Sequence, residues 1–389
     1  MTTATTTRPP ASSLDAYLGV VQFLFLLTWV VYAVFLEELL ARLGLPKHYV
    51  PLLLMLDQGL FALADLALGY SADRLLRAWG RAAPLLVALN LTACLAFVAL
   101  PHAAAGMPAL FLGLTVFWVL SASVLRAPLY GLIARRAAQP GRGTAGALLG
   151  MGLAAALAPY LGQALKGIDP MLPFTLAGVA LAATSLGFSG WENRLAAANP
   201  ASAAASGARD LARWFGAALL LGLGFQLHFF VNAAPLFKAV ADASLLPWLI
   251  PAFWIGFSLA VYPGADLARR LGSRRLLAAA AGLGTVAVAG CATQPGLAAL
   301  ILLQALAGTA WGAAFLAGIA VAGEAGRVGR EALYVGAWFA GLALAALIRI
   351  ALTLAGFGYH NLTLLLAAVL WLAASLLLSP WLAKPVSSS

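Results

Sequence analysis

Six residues ionise inside stretches that are otherwise apolar: Glu37, Asp57, Asp65, Arg126, His228 and Arg349. A charge near the centre of a bilayer costs at least about 2.5–3.5 kcal/mol on insertion scales, so each needs a partner or a task. Carboxylate, imidazole and guanidinium groups in such a setting can pair, carry a proton or hold a polar ligand. Asp65 lies two helical turns before the charged stretch at Asp73, and Arg126 a similar distance before Arg135 and Arg136. The matched depth predicts an Asp65–Arg126 ion pair, functional or serving only to fix helix packing. Asp57 and Arg349 sit at matched depth near the other ends of their runs. His228 and Asn232 are four apart and share a helical face, where a histidine either titrates near neutral pH or is held by a structural hydrogen bond. Glu37 closes the first apolar run beside Glu38, at the edge of water.

Other chemistries find little support. The histidines at 48, 102, 228 and 360 are scattered, without an HxxxH or Cys/His cluster and without a nucleophile elbow. No metal site, cofactor or enzyme activity is therefore expected. Cys94 and Cys291 lie in separate apolar runs and read as buried thiols. Trp254, Trp311 and Trp338 either line an aromatic site or pack the interior.

The elements that must position these residues follow from composition. The chain is 63% hydrophobic and 9% charged, far from the soluble balance, so its excess apolar surface must face lipid. Twelve runs long enough to span fall at about 16–40, 50–70, 82–101, 108–133, 143–165, 172–190, 213–236, 244–268, 275–293, 296–322, 331–356 and 360–382. Only "TQPG" separates the ninth from the tenth. With a cytoplasmic N-terminus, 17 of the 23 Lys and Arg residues fall in cytoplasmic loops and tails, four on the other side and two, Arg126 and Arg349, within helices. That bias places both termini in the cytoplasm and requires an even number of spans. The net charge of +10 thus reports topology in a bilayer, with no nucleic-acid partner. Residues 1–13 form a Thr/Pro/Ser tail expected to be disordered. Residues 14–190 form one six-helix bundle, 191–212 a cytoplasmic linker, 213–382 a second bundle and 383–389 a tail. No short cleavable signal precedes the first run.

The stretch "DLALGYSADRLLRAWGR" carries Gly69, then Asp73 and Arg74, then Gly80 and Arg81. The stretch "GADLARRLGSRR" repeats the pattern with Gly264, Ala268 and Arg269, half a chain later. Each follows the second helix of its half, as two parallel six-helix repeats require. At the offset partners of Asp57, Asp65 and Arg126 stand Ala252, Ala260 and Val321, so these charges do not belong to the repeated scaffold.

This motif resembles the loop between helices two and three of the major facilitator superfamily, approximately GxxxDRxGRR. The first copy has a longer spacer, and the second has Ala268 in place of the acid. The resemblance implies an all-α membrane fold of twelve helices in two parallel six-helix pseudo-repeats. It further implies a secondary active transporter, monomeric and in the inner membrane, moving a small molecule by alternating access. The motif residues then gate, as a charged latch that holds one arrangement of the halves and releases in the other. "VLRAPLYGLIA" around Arg126 resembles the superfamily's helix-four pattern, which implies proton coupling with the Arg tuning a nearby acid. Carboxylates and a histidine favour protons over sodium as the coupling ion. The fold also makes the helices of Asp57 and Arg349 neighbours across the domain interface, so the two are expected to pair as an outer gate. "LAPYLGQ", with Pro159 and Gly162, faintly resembles the helix-five signature of proton-exchanging exporters, although Ala145, Ala154 and Ala158 replace glycines. Proton-coupled efflux is thus the leading expectation. Import by symport or facilitated diffusion, and a non-transporting assembly or lipid-handling factor on the same fold, stand beside it.

Overall fold

In hydrocarbon, a chain must satisfy its backbone N–H and C=O groups internally, so long apolar runs close into helices. The computed structural model describes residues 11–136, 140–194, 208–326 and 329–383. Among them it has twelve helical spans long and apolar enough to cross a membrane. The first six are α1 (Leu14–Arg42), α2 (Tyr49–Ala78), α3 (Ala83–Ala103), α4 (Pro108–Arg135), α5 (Gly141–Ala164) and α6 (Met171–Glu192). The second six are α7 (Leu211–Lys238), α8 (Ala243–Leu271), α9 (Ser273–Ala292), α10 (Leu297–Ala325), α11 (Glu331–Leu354) and α12 (Asn361–Leu378). Residues 1–10, 195–207 and 384–389 lie outside the described residues, so most of the expected tails and linker, with Arg8 and Lys384, goes undescribed, as does Arg327.

Large apolar side chains stand on the outside, with Leu63, Leu95, Leu259 and Leu302 all more than two-thirds exposed. In water such a belt would drive aggregation; in lipid it is the solvated face. The chain is a multi-pass membrane protein.

Packing repeats between the halves. In the first, α1 packs on α5, and α3 on α4 and α6; in the second, α7 packs on α11, and α9 on α10 and α12. The halves meet along two seams, α2 on α11 and α5 on α8, which the repeat exchanges for one another. Along the first seam the antiparallel helices set Gly69 against Ala332, Asp65 against Gly336 and Gly59 against Leu347.

Two helices depart from α geometry near the residues singled out above. In α4, a 3₁₀ turn at Ser123–Leu125 precedes Arg126. In α7, Gln226–Asn232 form a π-helical turn, a widening often found at functional sites.

The charged motif is helical, whereas the sequence places it in a loop. The helix of α2 runs unbroken to Trp79, and the turn comes only at Gly80, a left-handed C-cap with φ 67°, a conformation glycine adopts without penalty. Gly264 likewise lies inside α8, which ends at Leu271. The "TQPG" turn does separate α9 from α10. Arg74, Arg77, Arg81, Arg269 and Arg270 gather at one end of the bundle, the arginine-rich end. At the opposite end, Arg42 pairs with Glu38 at 2.8 Å and Asp169 at 3.2 Å. The Met171 backbone N–H and then Arg42 hold the Asp169 carboxyl below the usual carboxylate range.

Candidate functional site

A cavity of about 610 Å³ lies between the halves, walled by α1, α2, α4 and α5 on one side and α7, α8, α10 and α11 on the other. Aromatic rings dominate it: Trp29 and Phe61 face Phe225, Trp254, Trp311 and Phe339. Phe225 and Trp311 stack with centroids 4.7 Å apart. Its polar lining comes from Gln22, Gln58, Gln226, Tyr130 and one charged side chain, Arg126.

Local backbone geometry places that arginine. The 3₁₀ turn of α4 frees the Leu125 carbonyl from the α-helical ladder, and the Gln22 side-chain amide donates to it at 2.6 Å. Arg126 follows at once, and its Nη2 stands 2.9 Å from Asp65 Oδ2. The Asp65 carboxyl is fully buried, and its Oδ1 has no hydrogen-bond partner among the described residues. The guanidinium lies between the rings of Phe61 (4.4 Å) and Phe339 (4.9 Å), one from each half. Its Nη2 also donates to the Phe339 carbonyl at 3.4 Å. The pair expected from depth is formed, and it sits where the halves meet.

The other intramembrane candidates are placed differently. Asp57 and Arg349 do not pair. They occupy the same level of the α2–α11 seam, yet each side chain meets a neutral group of its own half. Asp57, fully buried, accepts from the Tyr32 hydroxyl at 3.2 Å. Arg349 donates from Nε to Gln226 Oε1 at 3.3 Å and lies over the Phe230 ring at 5.0 Å. His228 and Asn232 are buried outside the cavity, tying α7 to its neighbours: His228 meets Gln304 of α10 at 3.1 Å, and Asn232 donates to the Thr363 carbonyl of α12 at 3.1 Å. Glu37 is exposed and does not line the cavity. Trp254 and Trp311 line it, whereas Trp338 packs against Trp214 at 5.9 Å.

At the arginine-rich end the first motif copy bridges the halves. Asp73 accepts from the backbone N–H groups of Ala332 (3.1 Å) and Leu333 (2.9 Å), capping the N-terminus of α11. A carboxylate there satisfies two orphan donors and complements the helix dipole. Arg77 donates to the Gly329 carbonyl beside it. The helices approach so closely that a Cβ at Gly69 would stand 2.5 Å from the Ala332 oxygen, and one at Gly131 of α4 would strike Ala332 as well. Arg74, Gly80 and Arg81 are exposed. Among the described residues, Gly264 and Arg269 of the second copy make no such bridge. Arg269 pairs with Asp266 of its own helix at 2.5 Å, and a Cβ on Gly264 would meet nothing nearer than 3.9 Å.

Sequence reasoning passed over several contacts. Glu192 accepts from the N–H groups of Ala82 and Ala83 at 2.7 and 2.8 Å, capping α3. Arg142 reaches Asp15 at 3.5 Å and lies over Tyr262 of the other half at 5.5 Å. Lone acids next to span ends were the available signal for both. The cavity glutamines carried none.

No protein-family profile matches the chain, and no curated protein matches it. Solved structures do. The E. coli fucose:proton symporter FucP superposes with a TM-score of 0.68 over 97% of this chain and 100% of its own, at 13% identity. The human organic anion transporter MFSD10 (TETRAN) gives 0.70 over 95% and 100%, at 16% identity. The fold is that of the major facilitator superfamily. Within the major facilitator fold, the cavity, the Asp65–Arg126 pair and the Asp73 bridge all lie between the two halves.

Proposed function

We propose that the chain is a secondary active transporter that moves a small molecule across the cytoplasmic membrane by alternating access, exchanging it for protons in the direction of efflux. The Asp65–Arg126 pair carries this reading. Its carboxylate is buried beside the cavity, and its guanidinium is held by rings from both halves. Any rocking that parts Phe61 from Phe339 must change the surroundings of both charges, so proton occupancy and conformation are linked by differential stability of the two states. On this reading Asp65 holds the proton, Arg126 opposes it, and the Asp73 cap on α11 latches the arginine-rich end shut. With both termini cytoplasmic, that end is the inner one, and the described arrangement has its inner side closed.

An aromatic cavity with few polar groups supports export of a largely apolar compound over uptake of a polyhydroxylated solute, which needs paired donors and acceptors along its length. Uptake by proton symport remains the alternative within transport. A non-transporting assembly or lipid-handling factor on the same fold would tolerate neutral substitutions at Asp65.

The test is proton flux in proteoliposomes carrying a lumenal pH dye, challenged with a panel of amphiphilic compounds with and without an imposed gradient. Compound-dependent proton movement, lost in Asp65→Asn, is expected. Flux that needs no proton gradient and survives Asp65→Asn overturns the coupling. Full biological function of Asp65→Asn without any compound flux favours the non-transporting reading.

A further inference from the structure

Building on the transporter reading, we propose that the substrate is an amphiphilic organic anion, with its apolar body among the cavity's aromatic rings and its anionic group on Arg349.

Arg349 continues a stripe. Phe339, Ala343 and Ala346 of α11 line the cavity, and Arg349 lies one turn further on that face. The two groups it touches, Gln226 and Phe230, are themselves lining residues. The hydrogen bond from Nε to Gln226 is the only one its side chain makes among the described residues, so both terminal NH₂ groups are left for a ligand. No carboxylate among the described residues lies within ion-pair distance. The acid at its level, Asp57, is turned into the first half against Tyr32.

With Arg349 one turn beyond the lining, the charges of the cavity and its rim leave one cation over among the described residues. Arg126 is neutralised by Asp65 at 2.9 Å, and Arg349 has no counter-charge. An uncompensated guanidinium inside a membrane is costly and marks a ligand or ion path. Its planar fork suits two-point binding of a carboxylate, sulfonate or phosphate group. The neighbouring Phe230 ring fixes its plane, and the Gln226 carbonyl oxygen orients it from the cavity side. A cationic guest gains from aromatic faces but meets this uncompensated charge at the rim. A polyol would find three glutamines, one tyrosine hydroxyl and the already paired Arg126 for its many hydroxyls. An anion with one charged end and a ring-sized apolar body fits both features, and about 610 Å³ is the volume of a drug-sized site.

The experiment measures equilibrium binding of three isosteric probes to the full-length protein in zwitterionic-lipid nanodiscs: 2-naphthalenesulfonate, 2-naphthol and 2-naphthyltrimethylammonium. Titration calorimetry against empty nanodiscs supplies the baseline. The sulfonate is expected to bind about tenfold or more tighter than the naphthol, with the ammonium weakest. Arg349→Gln should abolish that preference and leave naphthol binding within about twofold. Arg349→Lys should retain part of it, which separates charge recognition from misfolding. Preference for the ammonium, no measurable sulfonate binding, or an anion preference that survives Arg349→Gln overturns the proposal. Proteoliposome flux of the same probes separates the two readings. The expected binding pattern without any flux supports the ligand class and removes transport. Proton-linked flux of the ammonium but not the sulfonate supports transport and overturns the ligand class.

Discussion

Neutralising one member of the Asp65–Arg126 pair leaves the other charged and buried, which typically costs about 3–5 kcal/mol. Asp65→Asn and Arg126→Gln should each lower the unfolding temperature in detergent, and the double variant should recover part of the loss. Strictly additive shifts would mean the two do not interact. A weaker but more local effect is expected at Asp73. Asp73→Ala strips two α11 N–H groups of their acceptor, a capping loss of about 0.5–2 kcal/mol, while Asp73→Asn keeps an acceptor oxygen and should lose less. Thermal unfolding of the two variants side by side gives the order. At this scale the sequence was half legible. Depth along a helix can be counted from the nearest loop, which is why Asp65 and Arg126 were matched correctly. Rotation about the helix axis cannot be counted in the same way. Asp57 and Arg349 share a depth yet face different neighbours, because each meets a neutral group of its own half, Tyr32 or Gln226, that no sequence pattern marks.

Among elements, the α2–α11 seam depends on small residues where Gly69 and Gly131 both close on Ala332. Close backbone approach of this kind is a common basis for packing between membrane helices. Gly131→Leu inserts a side chain where no space exists, so it should destabilise by about 1–3 kcal/mol or push the arginine-rich ends apart. Crosslinking between cysteines placed at Arg77 and Gly329, which touch in the parent, would report the separation: efficient in the parent, reduced in Gly131→Leu. Undiminished crosslinking at parental stability would mean that the seam absorbs the side chain elsewhere. The length of α2 was misread because its arginines look like loop residues, whereas long cationic side chains at a helix end reach the interface without ending the helix. The π turn of α7 was invisible, since the mixed polar and aromatic residues Gln226–Asn232 fit a regular helical turn equally well.

For the whole molecule, span count, repeat and charge asymmetry were legible because lipid imposes them on every segment. The arrangement of one half against the other was not, because two packings of the same helices satisfy the same hydrophobic pattern. Accessibility can distinguish them. In a background lacking Cys94 and Cys291, a cysteine at Ala33, exposed in α1 beside the cavity, should react with membrane-impermeant thiol reagents. One at Ala265, buried under α5 near Gly141, should not. Adding Asp73→Ala weakens the cap that joins the halves and should raise labelling at Ala265 and lower it at Ala33. Equal labelling in both backgrounds would remove the latch. Reporter fusions in the 139–142 and 205–208 segments should both read cytoplasm, and an external signal at either would break the twelve-span layout.

The wide turn at Gln226–Asn232 also has a bearing on how this chain tolerates insertion and deletion. A π turn holds one residue more than the α turn it replaces, so the two ends of α7 run out of phase by about one 100° step. The stem at the arginine-rich end presents Gly222 and Phe225 to the cavity, the turn opens with Gln226 in the same lining, and its last residue, Asn232, is delivered to Thr363 of α12. Removing a single residue, Val231 for example, would let the helix relax into regular geometry. The far tip would then be indexed to the wrong neighbour, with every side chain past the gap rotated together. Substitutions in the same stretch change one contact at a time. A deletion would instead reset the registration of the whole segment past the turn, so this helix should accept many exchanges of residue type and almost no change in length.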